Sequence, residues 1–133
     1  MLYIILGIFL ILHGLVHLLY AGQSLRMFEL QSGMDWPDGS WAFKGLFREK
    51  ALRVFGGTLC LLAADGFVVG SVLLFLSHAL WRPVITGSAL FSTLAFIFLW
   101  NGKMQALFNN GLLGILINLA ILVIVLGIGW PAF

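Results

Sequence analysis

The chain has 133 residues, of which 62% are hydrophobic and 9% charged, and a formal net charge of +2. A soluble domain carries about 25% charged residues, and no water-soluble fold of this size hides so much apolar surface. The mean hydropathy of +1.10 instead describes an integral membrane protein, and the small basic surplus, lacking any basic stripe, suits anionic lipid headgroups and excludes nucleic acid as a partner.

The first apolar span, about 2–21, carries no formal charge and has the roughly 20 residues that cross a bilayer core. Met1 is followed directly by apolar residues with no basic segment, so a cleaved signal peptide is not expected. His13 and His17 stand four residues apart and share a helix face, which Tyr20 extends by one turn.

A long connection follows, 22–51. Its first part, 24–31, has a weakly amphipathic pattern, with Leu25 and Phe28 on one side and Arg26 and Glu29 on others, and predicts a short segment lying at the interface. Trp36-Pro37-Asp38-Gly39 has the composition of a turn. Trp36, Trp41 and Phe43 around it suit a membrane-surface anchor. The connection is also long enough for a lid over the open end of a bundle, with Glu29, Trp36 and Trp41 as its candidate residues.

The second and third spans, about 52–76 and 82–100, are joined by 77–81, so short that the helices must be antiparallel neighbours, and Pro83 suits the first turn of the third. His78 and Trp81 read as interface residues at this hairpin tip, with Arg82 snorkelling to headgroups. The fourth span, about 110–130, follows a connection whose glycine and asparagines supply stop and restart signals. The fold expected is an all-α, up-down-up-down transmembrane four-helix bundle with a long interfacial loop between the first two helices, forming one domain over 1–133. Both termini then share one side. Arg26, Lys44, Arg48, Lys50, Arg53 and Lys103 accompany the other, so the positive-inside rule places the long loop in the cytoplasm and the termini outside.

Depth supplies the main functional expectation. Counted at about 1.5 Å per residue from each span's centre, His13 and Asp65 fall near the midplane, with Asn118 in the fourth span and Ser92 and Thr93 in the third at similar depth. A charge there costs about 2.5–3.5 kcal/mol on insertion scales. Asp65 is therefore expected to face inward and pair with His13, with Asn118, Ser92 and Thr93 completing the hydrogen bonds. Small residues at helix spacing, Gly111 and Gly114 before Asn118, Ser88 before Ser92, and Gly7 and Gly14, predict close helix packing on the same faces.

Such a layer is either a polar clasp fixing helix register or a site that handles protons or binds a ligand. In the second case His17 offers a stepping stone outward from His13 toward Tyr20 and Glu29, and an apolar ligand such as a quinone or a lipid tail would suit the Phe-rich spans. An HxxxH pair without a further ligand cluster is a weak metal signal, and haem lacks an opposing axial histidine, so neither metal nor haem is expected. Phosphate loop, nucleophile elbow and redox cysteine pair are missing. Cys60, the single cysteine, reads as a small core residue. Transport finds no internal repeat and no broken span to support it.

The layout of four spans with a long first connection, together with Arg53-Val-Phe-Gly-Gly-Thr-Leu and Leu61-Leu62-Ala63-Ala64 in the second span, resembles the DoxX-like group of small bacterial and archaeal membrane proteins. The resemblance covers most of the chain as architecture and the start of the second span as sequence. It implies a prokaryotic inner membrane and an accessory subunit beside a quinone-coupled or other membrane oxidoreductase, and it carries over no site residues. Together these readings lead to a membrane accessory subunit, in contact with lipids and with a larger complex or further copies of itself. A purely structural interaction subunit is the alternative.

Overall fold

The computed structural model describes residues 1–131. Its crossings are α1 (Leu2–Ser24), α2 (Glu49–Phe75), α3 (Trp81–Leu99) and a fourth, Phe108–Ile128, whose regular part is α4 (Leu113–Leu122). Each is long and apolar enough to cross a membrane, and the chain is all-helical across them. Helix ends depart from the hydropathy boundaries by a turn or less.

The expected interfacial segment at 24–31 does not form as a helix. α1 stops at Ser24, Arg26 takes a left-handed φ of 60°, and the Met27 and Arg26 amides close back on the Gly22 and Gln23 carbonyls at 2.9 and 3.1 Å. This pair of bonds is the Schellman stop, and α2 ends the same way at Ser77, φ 51°, with the His78 and Ser77 amides on Leu73 and Leu74. Arg26 holds its turn because its guanidinium donates to the carbonyls of Gln23, Asp35 and Trp36 at 2.8–2.9 Å.

The helices pack in chain order, α1 on α2, α2 on α3 and α3 on α4. Small residues set the close approaches, as expected where lipid gives helices no hydrophobic reason to associate. At Gly66 of α2 any side chain would collide with the Ser88 hydroxyl of α3. One apolar cluster, built on Leu10, Phe67, Leu74, Trp81, Ile85 and Ile121, fills the end of the bundle nearer the termini. A second, containing Ala21, Trp36, Leu52, Cys60, Phe96 and Leu99, fills the end nearer the long loop. Trp81 is thus a core residue and not an interface residue, because the first turn of α3 points it inward. Arg82, similarly, turns from headgroups to cap the fourth crossing, donating to the carbonyls of Gly129 and Pro131 at 2.6 and 2.7 Å.

The fourth crossing is broken, against expectation. Wider π-type turns flank α4, and in the first of them Asn110 and Gly111 leave helical geometry, Gly111 with φ 104°. Glycine is needed twice over there, for the φ and because the Phe96 ring lies where a Cβ would be. The break is near the membrane edge, and the backbone groups it frees are met by side chains: Tyr20 Oη–H donates to the Asn109 carbonyl at 3.2 Å and Asn110 Nδ2–H to that of Ala106 at 2.9 Å.

Candidate functional site

Halfway through the bundle, four polar side chains from three helices form one continuous chain of hydrogen bonds. His17 Nδ1 lies 2.9 Å from the His13 carbonyl oxygen, which can only accept, so this nitrogen carries the proton and Nε2 accepts. Ser92 Oγ–H therefore donates to His17 Nε2 at 2.6 Å, Asn118 Nδ2–H donates to Ser92 Oγ at 2.9 Å, and His13 Nε2–H donates to Asn118 Oδ1 at 2.7 Å. Both nitrogens of His17, the serine hydroxyl and both ends of the asparagine amide are engaged, and Ser92 and Asn118 are wholly buried. The sequence places them because His13 and His17 share a face of α1, while Ser92 and Asn118 fall on the inward stripes Ile85-Ser88-Ser92-Phe96 and Asn118-Ile121-Val125.

The expected His13–Asp65 pair does not exist. α2 brings Phe67 to the layer, its ring 4.8 Å from His13 and 5.3 Å from His17 between centroids, while Asp65 is exposed on the outer face of the helix. The reason is angular. Two residues of α-helix turn the chain by about 200°, and the packed stripe of α2 is Gly56, Cys60, Ala63, Ala64, Phe67, Gly70, Ser71 and Leu74. Asp65 has the depth of the layer and the opposite direction. Among the described residues it has no hydrogen-bond or ion-pair partner.

Other expected members also separate. Thr93 donates to the Ala89 carbonyl of its own helix at 2.8 Å and stays outside the network. Tyr20 turns to Asn109 and packs its ring edge-on against Trp36 and Phe96, 5.1 and 4.9 Å away. Glu29 is exposed and accepts from the Gly33 amide at 3.3 Å. No stepwise route from His13 through His17 and Tyr20 to Glu29 is formed.

Trp36, expected as an anchor or lid residue, packs more deeply than an anchor among headgroups would. It is 1% exposed and seals the loop end of the bundle against Tyr20 and Phe96. Gln23 holds it there, donating to the Met34 and Trp36 carbonyls and accepting from the Leu30 amide at 2.8 Å. Trp41 stays half-exposed, donates to the Ile97 carbonyl at 2.7 Å and stacks on Phe98. Ser40 Oγ–H on the Phe98 carbonyl and the Trp41 amide on that of Trp100 pin the loop to the end of α3.

An ion-pair group secures the same cap. Asp38 accepts two hydrogen bonds from Arg53, at 2.8 and 2.6 Å, and pairs with Arg26 at 2.9 Å. Burial opposes ionisation of Asp38, yet the hydrogen bonds and charges of Arg53 and Arg26 outweigh it and hold the carboxyl below the usual carboxylate range.

The gap beside His17 and Ser92, walled by Leu59, Cys60, Ala63 and Phe96, has no room for a water molecule. The histidine rings meet edge-on at 5.0 Å with their Nε2 atoms committed to different partners, and among the described residues no three histidine, cysteine or carboxylate side chains gather around one point.

No family model, curated protein or solved structure matches the chain. Sequence reasoning missed Phe67, Gln23 and the Asp38 ion-pair group. Phe67 was signalled by the small-residue stripe it continues, and Gln23 by being a polar residue at the tail of an apolar span. Nothing local tied Asp38 to Arg53 across the intervening loop.

Proposed function

We propose that the chain is a structural accessory subunit of a larger membrane assembly, a rigid four-helix unit that works by docking and not by catalysis. The observation that carries this reading is the buried network, which spends both nitrogens of His17, the Ser92 hydroxyl and both ends of the Asn118 amide in joining α1, α3 and α4 and leaves no room for a water molecule beside His17. Its geometry supports the clasp over a ligand chamber. Interhelical hydrogen bonds of this kind contribute about 0.6–2 kcal/mol each, and the His13–Asn118 bond ties the first crossing to the last, which are not consecutive in the packing order. A loop plugged by Trp36 and tied to α1, α2 and α3 supports the same reading, since a cap held this firmly favours rigidity over gating.

The cationic groups Arg26, Lys44, Arg48, Lys50, Arg53 and Lys103 favour a cytoplasmic loop and termini on the opposite side, and the DoxX-like resemblance implies a prokaryotic inner membrane. A place beside a redox enzyme rests on the DoxX-like resemblance alone. Solubilising native membranes in mild detergent and weighing the particle tests the docking reading. The expected result is a particle heavier than the 14.6 kDa chain with its detergent, containing another membrane protein in fixed ratio. Recovery only as a free chain carrying a stoichiometric quinone or lipid would overturn it.

A further inference from the structure

Among the described residues, Asp65 is a carboxyl in the membrane layer to which the fold gives no hydrogen bond or ion pair. It lies within about one helical turn of the middle of α2, and it sits centrally on an exposed stripe made of Val54, Thr58, Leu61, Leu62, Val69 and Val72. Arg53, the only cation on its helix deep enough to consider, is engaged with Asp38 a dozen residues, about 18 Å, away. Leu62, one turn before Asp65 on the same stripe, forms a wall of a shallow groove between α2 and α3 whose other side is Pro83, Val84, Gly87, Ser88 and Phe91. Gly87 opens onto empty space there, so a foreign helix backbone can come close beside α3 while its side chains reach α2.

We propose that this face binds a transmembrane helix of another protein that carries a lysine or arginine near its middle, with Asp65 as its counter-charge. Charge complementarity decides between occupants. An ionised carboxylate at this depth calls for an opposite charge, and the mid-membrane faces of a second copy of this chain supply none. Its spans contain no lysine or arginine between Arg53 and the end of α2, none in α3 beyond Arg82, and none in α1 or Phe108–Ile128. Its mid-membrane histidines are buried in their own network. The inference deepens the docking reading above by naming the chemistry of the docked helix.

The test uses the full chain in lipid vesicles, labelled with a donor dye at its N-terminus. It is mixed with a synthetic polyleucine transmembrane helix that bears an acceptor dye and either one central lysine or leucine throughout. Asp65→Asn is the informative variant, because among the described residues Asp65 makes no hydrogen bond or ion pair, so the fold should be untouched, which circular dichroism checks. Wild type is expected to bind the lysine helix at least about tenfold more tightly than the leucine helix, a difference of about 1.4 kcal/mol. Asp65→Asn is expected to bind both equally, and Asp65→Lys to prefer a helix with a central aspartate. Equal binding of both helices by wild type would overturn the proposal, as would a lysine preference that survives in Asp65→Asn. So would self-association of the chain that depends on Asp65 and is not competed by the lysine helix, which would make a second copy the occupant. None of these outcomes alters the mass of the native particle, so the docking reading stands or falls separately.

Discussion

Asn118 and Asp65 lie at comparable depth in the membrane and face opposite ways. Asn118 is buried, uses both ends of its amide and joins three helices through His13 and Ser92. Asp65 is exposed and, among the described residues, has no hydrogen-bond or ion-pair partner. The pair teaches that depth in the membrane says how costly a polar group is, while its direction says who must answer it: the fold for one, an outside group for the other.

The comparison can be broken most sharply by removing Asn118. Asn118→Leu should cost about 2–3 kcal/mol, since it deletes two bonds and strands the His13 N–H in the core. Unfolding in mixed SDS and mild detergent, followed by circular dichroism, measures it. A cost under about 0.5 kcal/mol would mean that the network does not hold the helices. His17→Leu should cost about 1–2 kcal/mol by the same measurement, less because Ser92 retains the Asn118 bond.

A third polar group, Asp38 at the cap, sharpens the contrast through pH. Its folded carboxyl titrates below its unfolded value, so its stabilisation is complete above the ordinary carboxylate range and is lost as pH falls through the folded value. Acid should loosen the cap by about 1 kcal/mol, seen as a red shift in tryptophan fluorescence as Trp36 meets water. In Asp38→Asn the acid-dependent part should vanish. Thr93→Val, beside Ser92 in sequence but bonded only to its own helix, should change stability by less than about 0.5 kcal/mol. Smallest of all, Asp65→Leu should leave the isolated chain as stable as wild type or slightly more so. A destabilisation comparable to that of Asn118→Leu would mean that Asp65 has an internal partner after all.

Much of this was legible in the letters. Span lengths follow from apolar runs, and the midplane layer from counting residues at a fixed rise, which puts His13, Ser92 and Asn118 at one level. Direction around α2 was also written in the chain, in the stripe from Gly56 through Cys60, Ala63 and Phe67 to Leu74, but the cost of an outward carboxylate argued against following it. Trp36 shows a different limit. A tryptophan beside a proline has the same composition whether it rests among headgroups or plugs a bundle, and only the distant partners Gln23, Tyr20 and Phe96 decide between them. Ser92 and Thr93 differ by a single step of helix rotation, enough to put one hydroxyl in the network and the other on its own backbone.

The outward carboxylate also bears on how the chain is made and kept. α2 carries its acid toward the middle of the membrane, and its tight turn into α3, closed by the His78 and Ser77 amides, lets the two enter as a hairpin. On the proposed docking, each newly made copy displays the Asp65 carboxyl to the acyl chains until a cationic helix covers it. Membrane quality control can recognise such a defect, so the amount of this protein in the cell should track that of its companion.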